Sequence, residues 1–183
     1  NLFEAELFGY AKGAFTGASE KGRTGLLELA QDGTFLFDEV GEIPVEVQAK
    51  LLKCLEDKEY YPLGGRRPKK ITSTLIYATN IDLEQAVQEG LFRKDLYYRI
   101  STLNMTIPPL RERPEDIFSL AESTLKSLNA KYARNRRLGQ RAMRLLQSCD
   151  FPGNVRQLIS LIKQAVILSE QDLLDDFLQD ILD

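Results

Sequence analysis

The stretch Gly33-Thr34-Phe35-Leu36-Phe37-Asp38-Glu39-Val40 decides the fold. Thr34 to Phe37 form an unbroken apolar or β-prone run that stops at two adjacent acids, which predicts a strand buried on both faces of a parallel sheet. A helix should follow it. Pro44 suits a first helical position, and Val47, Leu51 and Leu55 recur four apart on one side. Downstream, EYYPLGGRRPKKI (residues 59–71) predicts a hairpin around Gly64 and Gly65, and STLIYATN (residues 73–80) a second buried strand. Asp82 and Gln85 have the spacing of a capping box at the start of another helix.

Beyond Pro114 every segment has helical spacing. In residues 154–168 the apolar stripe is Val155, Leu158, Ile159, Ile162 and Val166; in residues 171–182 it is Leu174, Phe177, Leu178 and Ile181. Pro108, Pro109 and Pro114 interrupt the stretch between the two halves. The expected architecture is therefore an α/β core over residues 1–110 and a small helical domain over 111–183.

Composition narrows the chemistry. The 183 residues contain 24 Lys and Arg against 27 Asp and Glu, a net charge of −3, so any nucleic-acid contact has to be local. Absence of histidine removes Ser-His-Asp and Cys-His nucleophiles and imidazole zinc sites. Cys54 and Cys149 form no C-x-x-C and read as thiols of a reducing compartment. No apolar run approaches the roughly 18 residues of a membrane-spanning helix. The chain opens at Asn1 and closes within an apolar-periodic segment, which reads as a piece of something longer.

Asp38 and Glu39 end a strand, where open α/β sheets bind ligands, and two acids there suit a metal-nucleotide site; solvated helix-capping acids are the alternative. Thr79 and Asn80 close the second strand and could emerge beside them, or serve a turn. LFRKDLYYRI places Arg93 and Arg99 on one short helix, about 120° apart. They fit either a neighbouring subunit's phosphates or solvent. In FPGNVRQL, Asn154 suits an N-cap, and Arg156 falls in the first turn, where only a nearby anion would favour a cation. GYAKGAFTGASEKG reads as a mobile loop carrying Phe15, either presented to a partner or folded back. The basic clusters Arg66, Arg67, Lys69, Lys70 and Arg134, Arg136, Arg137 read as solvated surface, with nucleic-acid contact open for the first.

In this order the segments resemble the central ATPase domain of bacterial enhancer-binding proteins, the AAA+ activators of sigma-54 RNA polymerase. ELFGYAKGAFTGA is similar to the family's signature loop, GTFLFDE to its Walker B strand, ATN to its sensor I, FRKDLYYR to its arginine-finger segment and FPGNVRQL to its sensor II. The resemblance implies an AAA+ type three-layer α/β core and a helical lid. Gly13, Ala14, Phe15, Thr16, Gly17 and Ala18 would meet the sigma factor, with Phe15 and Thr16 at the tip. Asp38 would hold Mg²⁺, Glu39 would activate the attacking water and Asn80 would sense the γ-phosphate of ATP. Arg93 and Arg99 would reach a neighbour's ATP, and Arg156 and Asn154 would serve the subunit's own nucleotide.

The resemblance further implies a homo-oligomeric ring, a hexamer, in the bacterial cytoplasm, acting on the sigma-54 closed complex and only indirectly on promoter DNA, with no membrane partner. The sequence departs from the family pattern at Tyr10, usually histidine, and at Phe151, usually tryptophan. No G-x-x-x-x-G-K-[ST] phosphate loop occurs in it, and the family places that loop upstream of the signature segment. The expectation is an incomplete core, without the phosphate-loop strand, that does not turn over ATP by itself. Its last core strand would lie around TLNMTI (residues 102–107). A partner-binding regulatory module that keeps the fold without catalysis is the alternative function.

Overall fold

The computed structural model describes residues 2–15, 19 and 21–182, and no side-chain statement concerns Leu182. Two compact units divide at Asn104 and Met105. Among the described residues no helix is long and apolar enough to cross a membrane.

In the first unit, helix α1 (Leu2–Phe8) leads into β1 (Gly9–Tyr10), which pairs antiparallel with β2 (Arg23–Thr24). Helix α2 (Leu26–Leu29) and strand β3 (Thr34–Phe37) follow. Next come a 3₁₀ turn at Val40–Glu42 and α3 (Val45–Asp57). The expected hairpin forms as β4 (Glu59–Tyr60) against β5 (Lys69–Lys70), with Gly64 at φ +68°, a conformation that penalises any side chain. Strand β6 (Thr74–Tyr77) runs parallel to β3 in the register Phe37 opposite Tyr77. Helices α4 (Leu83–Gln88) and α5 (Lys94–Ile100) complete the unit.

Helix α3 buries Val47, Leu51, Cys54 and Leu55 because these positions recur at helical spacing, and its face packs with Phe8, Leu27, Phe37, Phe92 and Leu96. Asp82 caps α4 by accepting from the N–H groups of Glu84 and Gln85, while the Gln85 side chain turns to Glu89 instead of closing the box.

Two expectations fail here. The strand pair is parallel as predicted, but only one face is covered, leaving Leu36 54% and Ile76 49% exposed. Residues 102–107 form no strand, and Leu103, Met105 and Ile107 are exposed, because no described segment pairs with that backbone and an unpaired strand has no ladder to hold it.

In the second unit, a 3₁₀ turn at Leu110–Glu112 precedes α6 (Glu115–Tyr132), α7 (Gln140–Ser148), α8 (Asn154–Leu168) and α9 (Asp175–Leu182). Their core contains Leu110, Ile117, Ala121, Leu146, Leu158, Ile162, Val166, Leu174 and Leu178. The buried stripe of α8 runs through Leu158, Leu161, Ile162, Ala165 and Val166, so it is rotated from the predicted one and Ile159 is 41% exposed. Arg136 also departs from the solvated role. It is 6% exposed and donates to the Ser169 and Glu170 carbonyls and to Asp172, placing a cation at the carbonyl-rich end of α8.

Candidate functional site

The parallel register of β3 and β6 carries past both strands. Ala78 N–H donates to the Phe37 carbonyl at 2.8 Å and Val40 N–H donates to the Ala78 carbonyl at 2.9 Å, so the two strand ends leave the sheet side by side. This sets Asp38 and Glu39 beside Thr79 and Asn80, the one of the two placements left open by the sequence that brings them together. Glu39 adopts φ 53°, ψ 50°, a left-handed conformation that is uncommon for a residue with a side chain. It is held there by the Val40 bond on one side and by Glu42 N–H donating to its carbonyl at 2.9 Å on the other.

The outcome is a paired arrangement. Asn80 donates twice to the Glu39 carboxylate, from its backbone N–H and from Nδ2, each at 3.3 Å. Gly41 makes the close approach possible, since a Cβ there would come within 2.6 Å of the Ile81 side chain and 3.0 Å of Thr79 Oγ1. Asp38 is exposed and has no hydrogen bond or ion pair among the described residues. No group of three or more potential metal ligands occurs among them either. A single free carboxylate fits Mg²⁺, which takes one or two protein oxygens and completes its shell with water and phosphate. It does not fit a metal that needs an all-protein cage.

The arginines occupy different surroundings. Arg93 is the residue that precedes α5 instead of lying on it, and it pairs with Asp95 through two bonds of 3.0 and 2.7 Å. That hydrogen-bonded pair holds the Asp95 carboxyl below its ordinary range. Arg99 lies within α5 and donates to the Leu55 carbonyl at 2.8 Å, near the end of α3. No hydrogen bond or ion pair among the described residues joins either arginine to Asp38, Glu39 or Asn80.

One residue escaped sequence reading. Gln48 is fully buried, and its amide joins the segment after the acidic turn to the segment before α5. The available signal was a polar residue beside the apolar stripe of α3, three and seven positions before Leu51 and Leu55.

The signature loop is anchored at its base. Ala11 N–H donates to the Leu63 carbonyl and Leu63 N–H to the Gly9 carbonyl, each at 2.9 Å, tying it to the hairpin loop. Gly13 has φ +71° and open space around it. Phe15 is 48% exposed, and its ring meets Tyr10 edge-on with centroids 5.2 Å apart. Thr16, Gly17 and Ala18 lie outside the described residues. Of the basic cluster, Lys69 pairs with Glu28, while Arg66 and Arg67 have no pair among the described residues.

In the second unit Arg156 sits in the first turn of α8, exposed and without an ion pair among the described residues. Asn154 is not the N-cap. It is the first residue of α8 with φ 50°, and its Oδ1 accepts from the Leu110 N–H at 2.8 Å, so its side chain secures the preceding turn. Gly153 takes the cap position because Asn154 is already committed to that bond.

A parallel strand pair with acids and an asparagine at its carboxyl ends, followed by a helical unit, is the AAA+ type of α/β domain with its lid. The chain matches the family described as the sigma-54 interaction domain over residues 1–106, and the AAA+ ATPase lid domain over residues 111–180. It belongs to the sigma-54 interaction domain family. It is 44% identical over 173 residues to a Nif-specific regulatory protein of Rhizobium leguminosarum bv. trifolii, covering 94% of this chain and 49% of that protein. NtrX from Brucella abortus, solved in complex with ADP, superposes with a TM-score of 0.84 at 34% identity, covering 96% of this chain and 39% of NtrX. The NtrX complex with ATP gives a TM-score of 0.79 at 36% identity, covering 90% and 37%. The chain thus spans at most about half the length of these relatives.

Proposed function

We propose that this chain is the part of a transcription activator that couples ATP hydrolysis to remodelling of the sigma-54 RNA polymerase closed complex. The observation that carries this is the Glu39–Asn80 pair at the carboxyl ends of β3 and β6, next to the unpaired carboxylate of Asp38. The signature loop of the same unit presents Phe15.

In the whole protein, Asp38 would hold Mg²⁺, whose charge would offset that developing on the β- and γ-phosphate oxygens. Glu39 orients a water and takes its proton as the water oxygen bonds to the γ-phosphorus. The bond from phosphorus to the β–γ bridging oxygen breaks, releasing ADP and phosphate. Asn80 reports γ-phosphate occupancy by exchanging its bond to Glu39 for one to the phosphate. Arg93 and Arg99 act on the nucleotide of the adjacent subunit in a ring, a hexamer, and Arg156 and Asn154 would serve the subunit's own nucleotide. Gly13 to Ala18 contact the sigma factor, with promoter DNA engaged through it, in the bacterial cytoplasm. Since the sequence contains no phosphate-loop motif, ATP turnover is assigned to the whole protein and to no isolated part.

The test uses the whole protein with Phe15→Ala. ATP turnover should persist while open-complex formation at a sigma-54 promoter fails. Transcription equal to wild type rejects the loop's role, and a whole protein that binds the sigma factor without any ATP turnover replaces the ATPase by the partner-binding module.

A further inference from the structure

Among the described residues of the first unit, Gln48 is the one amide or charged side chain that is fully buried. Such an amide needs partners, because burying it unpaired costs about 1–3 kcal/mol. It finds three. Nε2 donates to the Ile43 carbonyl at 2.8 Å and to the Leu91 carbonyl at 3.1 Å, and Oε1 accepts from the Arg93 N–H at 2.8 Å.

These partners come from two segments that no other hydrogen bond among the described residues joins. Ile43 closes the acidic turn: its N–H donates to the Val40 carbonyl at 3.3 Å, one residue beyond Glu39. Leu91 and Arg93 flank Phe92, which is 2% exposed and locks that segment into the core. The N–H groups of Leu91 and Phe92 are already spent on the Ala86 carbonyl, at 2.9 and 3.1 Å. The Leu91 carbonyl and the Arg93 N–H are therefore left for Gln48. A continuous chain of bonds results, from the turn holding Glu39 through Ile43 and Gln48 to the backbone of Arg93.

We propose that Gln48 is a positioning residue that registers Arg93, the arginine offered to a neighbouring subunit's nucleotide, against the acidic turn of its own subunit. The inference rests on the proposed ATPase function. By it, one amide sets the spacing between the two nucleotide sites to which a single subunit contributes. Sequence distance conceals the link, since residues 43, 48 and 93 converge only in the folded unit. No apolar side chain of the same volume can replace it, because three backbone groups around Phe92 and Ile43 would lose their partner.

The experiment compares Gln48→Met, Arg93→Ala and the double variant in the whole protein, measuring ATP turnover and the Kd of a fluorescent ATP analogue. Each single variant should lower kcat by about tenfold or more with Kd changed by less than about twofold, and the double variant should be no slower than Arg93→Ala alone. A merely structural defect would weaken nucleotide binding as well, and its loss would multiply with that of Arg93→Ala. Wild-type turnover in Gln48→Met, or multiplying losses, overturns the link while leaving the ATPase function intact. Wild-type turnover in Arg93→Ala rejects the arginine's role and the link together. Where Gln48→Met fails to fold, hydrogen exchange on the unsubstituted protein decides: the Arg93 amide should be protected like the core of α5, and exchange at the rate of exposed loop amides refutes the proposal.

Discussion

Glu39 and Asn80 face each other across the ends of two parallel strands, joined by two 3.3 Å bonds from Asn80 to one carboxylate. Bonds of that length, between a half-buried carboxylate and an exposed amide, are at the long end of the range, and under the proposed function the pair would exchange them for bonds to a phosphate. Glu39→Gln preserves the size and one acceptor oxygen but removes the base. ATP turnover by the whole protein should fall by about a hundredfold or more while nucleotide binding persists. Steady-state phosphate release alongside analogue titration checks both halves, and undiminished turnover would remove Glu39 from the chemistry.

The hairpin loop and the signature loop touch at Gly64 and Ala14. A Cβ on Gly64 would meet the Ala14 Cβ at 2.9 Å and its Cα at 3.0 Å, on a backbone already at φ +68°. Gly64→Ala should therefore destabilise the protein by about 1–2 kcal/mol through the left-handed conformation alone, with the contact adding to it. Urea unfolding of the whole protein measures this, and no shift in midpoint would show that the loop relaxes freely.

Tyr10, where the family usually has histidine, supports Phe15 edge-on. Such a pair contributes about 0.5–1.5 kcal/mol. Tyr10→Ala should weaken sigma-factor binding with little change in ATP turnover. Binding as tight as wild type would show that Phe15 is oriented by something other than this ring.

Burial pushes the Cys54 thiol from 9.0 up to about 11, and the Tyr60 and Tyr77 hydroxyls from 10.0 up to about 12. These acids stay protonated in the folded state over a range where the unfolded chain ionises. The unfolded state then binds fewer protons, so stability is intact below pH 9 and falls progressively as pH rises from about 9 to 12. Denaturant midpoints across that range test the slope, and a flat profile contradicts it. At pH 8 a thiol reagent should modify the half-buried Cys149 before the buried Cys54, which should react only on unfolding.

Local pattern made much of the site readable. An apolar run ending in two acids is a strand whose carboxyl end carries charge, and the same logic placed Asn80, so the pairing of β3 with β6 was enough to bring Glu39 and Asn80 together. The cap on α4 and the hairpin at Gly64 followed from residue chemistry that acts within four or five positions. Asn154 shows where that logic stops: its amide could cap its own helix, but the Leu110 N–H competed for it from 44 residues away. The stripe of α8 turned for a related reason, since Leu161 and Ile159 are equally apolar and only packing against the other lid helices chooses between them.

The sequence by itself determined which residues carry charge at strand ends, which positions turn the chain and which family the chain resembles, because each of these depends on neighbours a few bonds away. Tertiary structure alone decided the left-handed placement of Glu39 against the Ala78 backbone and the three bonds of Gln48. Those features depend on groups distant in sequence satisfying one another's hydrogen bonds and excluding water together, and no periodicity along the chain encodes which distant group that will be.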